Sequence, residues 1–170
     1  MRLALPDLVQ LGGGQPRYWR NLGQGRFAAP RPMSEAPGGL LLADPDVQFM
    51  DATGDGKPDL LVSREGLAGY FPLNHNGQWD RQAFRPFQQR PSFSLADPEV
   101  KLLDLDGDGV TDVLRNGSRL EYFYHDPEQG FVATQQVNKS QLGTFPRVSF
   151  DLANMCNTVG KVAQASESRH

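Results

Sequence analysis

The chain has 170 residues, 20 acidic and 17 basic side chains and a net charge of −3. That is length enough for one domain with a real core, and no basic stripe of the kind that binds nucleic acid is present. Hydrophobic content of 38% with 18 glycines and 13 prolines points to short strands and frequent reversals rather than helices or compositional disorder. Cys156 is the single cysteine, which excludes an internal disulfide framework. No apolar run is long enough to span a bilayer, and Met1–Pro6 is too short for a signal peptide.

In chain order, the first predicted strand follows Asp7 at Leu8-Val9. An aromatic strand, Tyr18-Trp19-Arg20-Asn21, comes next, and Gly23-Gln24-Gly25 turns the chain into a third near Arg26-Phe27. Ala43–Met50 alternates and runs into the acidic loop Asp51-Ala52-Thr53-Gly54-Asp55-Gly56-Lys57-Pro58-Asp59. Leu60-Leu61-Val62 leaves that loop, followed by Tyr70-Phe71-Pro72-Leu73, a turn at Asn76-Gly77 and a strand from Gln78-Trp79. Ala96–Leu103 then leads to a second loop, Asp104-Leu105-Asp106-Gly107-Asp108-Gly109-Val110-Thr111-Asp112. Val113-Leu114 leaves it, Asn116-Gly117 reads as a two-residue hairpin turn, and Tyr122-Phe123-Tyr124-His125 and Phe131-Val132 follow across Asp126–Gly130. Pro146-Arg147-Val148-Ser149-Phe150-Asp151 is a weaker copy of the segments that precede the loops. No segment sustains helical periodicity.

The order repeats itself. Pro6-Asp7-Leu8-Val9, Pro58-Asp59-Leu60-Leu61 and Thr111-Asp112-Val113-Leu114 recur at offsets of 52 and 53 residues. Four short strands per period is the pattern of a β-propeller blade. The expected fold is therefore all-β, with about three four-stranded blades at residues 6–57, 58–110 and 111–155 within a segment spanning 1–155. Closed propellers have four to eight blades, so the propeller is expected to be incomplete and the chain to begin partway through something larger. The polar tail, residues 156–170, is expected to be disordered.

Each loop sets carboxylates at alternate positions with glycine at the sixth, a spacing that turns the first, third, fifth and ninth side chains toward one hard cation. Such crowded carboxylates repel one another without a counter-ion, and oxygen ligands favour Ca²⁺. The candidate ligands are Asp104, Asp106, Asp108, the Val110 carbonyl and Asp112 in the second loop. In the first they are Asp51, Thr53, Asp55, the Lys57 carbonyl and Asp59, with lower affinity because Thr53 replaces an acid. Position twelve is Val62 or Arg115 rather than the bidentate Glu of an EF-hand, and strands rather than helices follow. Asp7 and Asp151 read as turn or edge residues. The recurring aromatics Tyr18, Trp19, Tyr70, Phe71, Tyr122 and Phe123 read as inter-blade core, with a carbohydrate-binding stripe as the alternative.

The loops resemble FG-GAP/VCBS repeats, whose blades hold Ca²⁺ between their first two strands. Tyr18-Trp19-Arg20-Asn21-Leu22-Gly23-Gln24-Gly25-Arg26-Phe27 is similar to the YWPNLGxGRF segment of Tc insecticidal toxin B subunits and SpvB-type virulence-plasmid proteins, with Arg20 where proline is usual. The resemblance spans roughly residues 6–150 and implies a piece of the propeller that docks such a toxin's cocoon onto its pore-forming subunit. On that footing the chain is expected to be a secreted, non-catalytic, Ca²⁺-binding assembly element without membrane insertion. Its partners would be other toxin subunits, the rest of a larger propeller, or further copies of itself through open blade edges. The alternatives are an extracellular adhesion or glycan-binding module and a truncated gene remnant. No nucleophile elbow, HExxH helix, phosphate loop or Cys/His pairing suggests an enzyme.

Overall fold

The computed structural model describes residues 7–12 and 14–139. The weak repeat copy at 146–151, Cys156 and the polar tail lie outside them. The described residues are all-β, with short strands in antiparallel sheets and a single turn of 3-10 helix at Arg81–Ala83.

Strands β1 (Leu8–Gln10), β2 (Arg17–Trp19), β3 (Asn21–Gly23), β4 (Arg26–Phe27) and β5 (Arg31–Pro32) come first. β1, β2 and β5 form one sheet, and β3 with β4 a small ribbon. The ribbon turns through Gln24 and Gly25, both at positive φ (54° and 72°). That is the two-residue geometry that matches the twist of a hairpin. β6 (Val47–Met50), β7 (Asp59–Arg64), β8 (Leu67–Phe71) and β9 (Arg85–Pro86) form the second sheet in chain order. β10 (Val100–Leu103), β11 (Asp112–Asn116), β12 (Arg119–Asp126) and β13 (Gly130–Asn138) form the third in the same way. Each acidic loop joins the first two strands of its sheet. The sheet and the sequence repeat are thus offset by one strand, since β6 and β10 precede the loops.

One register runs through all three sheets. Leu8 pairs with Trp19, Leu60 with Phe71 and Val113 with Phe123. One step on, Val9 pairs with Tyr18, Leu61 with Tyr70 and Leu114 with Tyr122. Side chains alternate between sheet faces, so this register sends successive residues to opposite cores. Leu60, Val62 and Phe71 join Leu11, Met33, Leu40, Val47 and Trp79 between the first and second sheets, with Val9 and Tyr18 against them. Leu61 and Tyr70 join Phe87, Phe93, Val113, Phe123 and Phe131 between the second and third. Burial on both faces explains why Leu60-Leu61-Val62 is a continuous apolar run rather than an alternating one.

The reversals differ from expectation in one place. At Asn116-Gly117 the chain does turn back, but Asn116 pairs with Leu120 and Gly117 is absent from the positive-φ glycines, so this is a three-residue connection. The tight turn lies instead at Glu65-Gly66, between the paired Arg64 and Leu67, with Gly66 at φ 77°.

Candidate metal centre

The second loop folds around the side chain of its own first residue. Asp104 Oδ1 accepts from the Gly107 N–H (2.6 Å) and Oδ2 from the Gly109 N–H (3.1 Å). Asp106 Oδ1 accepts from the Asp108 N–H (3.2 Å), and Asp108 Oδ1 from the Val110 N–H (2.7 Å). Gly107 and Gly109 take the left-handed backbone (φ 85° and 92°) that lets the loop close so tightly. The result brings carboxylate oxygens of Asp104, Asp106 and Asp108 within 4.8 Å of one another. Asp106 and Asp108 each keep one oxygen off the backbone, and the donor set is all hard oxygen, which fits Ca²⁺ or a similar cation.

Asp112 does something different. It is 3% exposed, its Oδ2 accepts from the Leu105 N–H (3.0 Å) and its Oδ1 from the His125 N–H (2.8 Å). It is not among the three converging carboxylates. Burial raises its pKa, offset in part by those two N–H donors. Its geometry is that of a clamp tying the start of the loop to the end of β12.

The first loop repeats the skeleton. Asp51 Oδ1 accepts from Thr53 and Gly54 (3.2 and 2.8 Å) and Oδ2 from Gly56 (2.7 Å). Asp59, 1% exposed, accepts from Ala52 (3.0 Å) and Leu73 (2.9 Å) and has its pKa pushed up to about 6, chiefly by burial. What differs is the mouth. Lys57 donates its ammonium to Asp55 Oδ2 and its N–H to Oδ1 (2.9 Å). That bond holds the Asp55 carboxyl below its ordinary range. Asp51, Asp55 and Asp59 do not converge as the second loop's acids do. A clamp appears a third time where none was expected: Asp7 Oδ1 accepts from the Asn21 N–H (2.8 Å), the equivalent bond in the first sheet.

The two loops touch. The Thr111 N–H donates to the Asp51 carbonyl (2.7 Å), and the Asp51 N–H to Thr111 Oγ1 (2.9 Å). Gly54 packs so near Val110 that a Cβ there would lie 3.4 Å from its side chain. Of the aromatics, Tyr70, Phe71 and Phe123 are buried in the two cores, while Tyr18, Trp19 and Tyr122 are half-buried. No protein-family model matches the chain and no curated protein matches it, so the likeness to toxin subunits rests on the segments quoted above alone.

Proposed function

We propose that this chain is a non-catalytic scaffold, three blades of a β-propeller braced by Ca²⁺ at Asp104, Asp106 and Asp108. The observation that carries the reading is the single pairing register of the three sheets, with an acidic loop at the same joint in two of them. Repeated units that pack only on their neighbours gain rigidity from whatever fixes the joint between strands. A divalent ion at the loop neutralises three carboxylates and holds β10 against β11, while Asp112 clamps the same joint from below. The Val110 carbonyl is the candidate fourth ligand, and Thr53, Asp55 and the Lys57 carbonyl with Asp51 the candidates in the weaker first loop. The YWRNLGQGRF segment supports placing the scaffold in a Tc- or SpvB-type toxin assembly, acting after export by engaging other subunits.

A calcium titration followed by thermal unfolding tests the brace. A ligand of the native state alone stabilises by about 2.7 kcal/mol at a hundred times its Kd, so the midpoint should climb with Ca²⁺ concentration and stop doing so in Asp108→Ala. A flat midpoint, or the same climb in Asp108→Ala, removes the metal from the proposal.

A further inference from the structure

The first sheet has a face that its two companions do not leave open. Leu60 and Val113, its repeat equivalents, are 0% exposed, whereas Leu8 is 51% exposed. Its cross-strand partner Trp19 is half-buried, while Phe71 and Phe123 at the equivalent positions are buried. Neither Leu8 nor Trp19 belongs to a core cluster among the described residues. β1 is also an edge strand, since no strand of the described residues stands where β6 and β10 stand in the other sheets.

What covers this position elsewhere is on display twice. Leu60 and Phe71 pack in the core that Val9 and Tyr18 of the first sheet border. Val113 and Phe123 pack with Leu61 and Tyr70 of the second. The matching surface is always the aliphatic–tyrosine pair one register step on, in the preceding sheet. A third copy of that pair, Leu114 with Tyr122, lies on the outward face of the third sheet beside Leu103, Leu120 and Val137. Leu114 is already buried in the single chain, so what remains to be covered there is the half-buried Tyr122 and Val137. The chain therefore carries both halves of an interface it makes twice internally, at opposite ends of its series of sheets.

We propose that a second copy of this chain docks its third sheet against the Leu8/Trp19 face, head to tail. Such a heterologous contact closes into a ring when the rotation per sheet allows and otherwise runs on as a filament. Three sheets fall short of the four to eight blades of closed propellers, and two copies supply six. The assembly is thus a dimer in which the same contact is made twice. This rests on the propeller reading but not on calcium.

Sedimentation of the 170-residue chain from about 1 to 100 μM, with Ca²⁺ and with chelator, tests it. The expected species is a dimer that Leu8→Asp weakens at least about tenfold. The variant's own thermal midpoint at high dilution should match wild type, because Leu8 is exposed in the single chain. Iodide quenching of tryptophan gives a second readout that needs no variant. Trp79 is buried and silent, so quenching reports Trp19 and should fall as wild-type concentration rises. A monomer throughout, a trimer or open polymer, or a dimer indifferent to Leu8→Asp each overturns the proposal. A dimer equally strong in chelator leaves it standing even where the calcium brace fails.

Discussion

In the loop at residues 51–59 the Lys57 ammonium lies against Asp55, whereas the equivalent position of the loop at 104–112 is Val110 and three carboxylates face one another. The backbone beneath is the same: a first-position Asp bonded to the glycine amides, and a ninth-position Asp buried and clamped to the following hairpin. One motif has thus been balanced in two ways, by an internal ammonium in one blade and by a demand for an external cation in the next. The skeleton belongs to the fold and the mouth to the ligand, and the two can be separated by experiment.

The largest effect should come from the skeleton, and it should be equal in both loops. Replacing Asp59 or Asp112 by Ala strands two buried N–H groups that have no other partner, at about 1–3 kcal/mol each, so a loss of about 3 kcal/mol in urea unfolding is expected for either variant. The loss should be the same in chelator as in calcium. If Asp112→Ala costs stability only when Ca²⁺ is present, the ninth carboxylate is a ligand first and a clamp second, and the division drawn here between skeleton and mouth fails.

Acid should distinguish the two blades next. The residue whose N–H completes the clamp is Leu73 in one and His125 in the other. His125 lies among the rings of Tyr70, Phe87 and Phe131 with neither ring nitrogen bonded. Burial pushes its pKa down to about 4, and nearby Asp126 only partly opposes this. The unfolded chain therefore takes up that proton first, so the His125 contribution is whole above pH 6.5 and is lost as pH falls toward 4. Asp59, raised to about 6, has the opposite sign: its contribution is present below its ordinary pKa and is lost as pH rises through 6. The two offset one another in wild type. His125→Leu, which copies Leu73, isolates the first: relative to wild type it should gain about 2 kcal/mol between pH 8 and pH 5 in chelator. A pH-independent difference would show that His125 is solvated after all.

The mouth can be converted. Thr53→Asp with Lys57→Val gives the first loop the second loop's acids and removes its ammonium. Calorimetry should then find one more calcium equivalent than wild type. The added stabilisation should be about 1.4 kcal/mol for each tenfold by which calcium exceeds the new Kd. Unchanged stoichiometry would mean that the convergence of Asp104, Asp106 and Asp108 depends on more than side-chain identity.

Much of this architecture was legible in residue spacing. The 52- and 53-residue offsets of Asp7, Asp59 and Asp112 gave the repeat, and the doubly apolar Leu60-Leu61-Val62 marked a strand buried on both faces. The ninth Asp was read as a ligand because ligation and clamping ask for the same residue; only burial separates them, and burial is a property of the neighbouring hairpin. The Asn116-Gly117 turn failed for a related reason. Pairing of Asn116 with Leu120 set the register there, and a tight turn formed at Glu65-Gly66, where a glycine sits at the one position needing positive φ. Lys57 was counted as a carbonyl donor, since nothing in its spacing revealed that its side chain reaches back two residues to Asp55.

The smallest effect should appear where the loops meet, and it decides whether they act singly. Thr111 joins them through two bonds, its hydroxyl receiving the Asp51 N–H and its own N–H reaching the Asp51 carbonyl. Thr111→Val keeps the shape and the backbone bond but withdraws the hydroxyl acceptor, a loss of about 1 kcal/mol. Because Asp51 is the residue around which the first loop folds, the variant should loosen that loop although the substitution lies in the second. Hydrogen exchange at Gly54 and Gly56, whose amides bond Asp51, should quicken, while Gly107 and Gly109, held by Asp104, should not. Quickening confined to the second loop would make the joint a local contact. Quickening in the first makes Thr111 the link through which order in one blade is felt in the next.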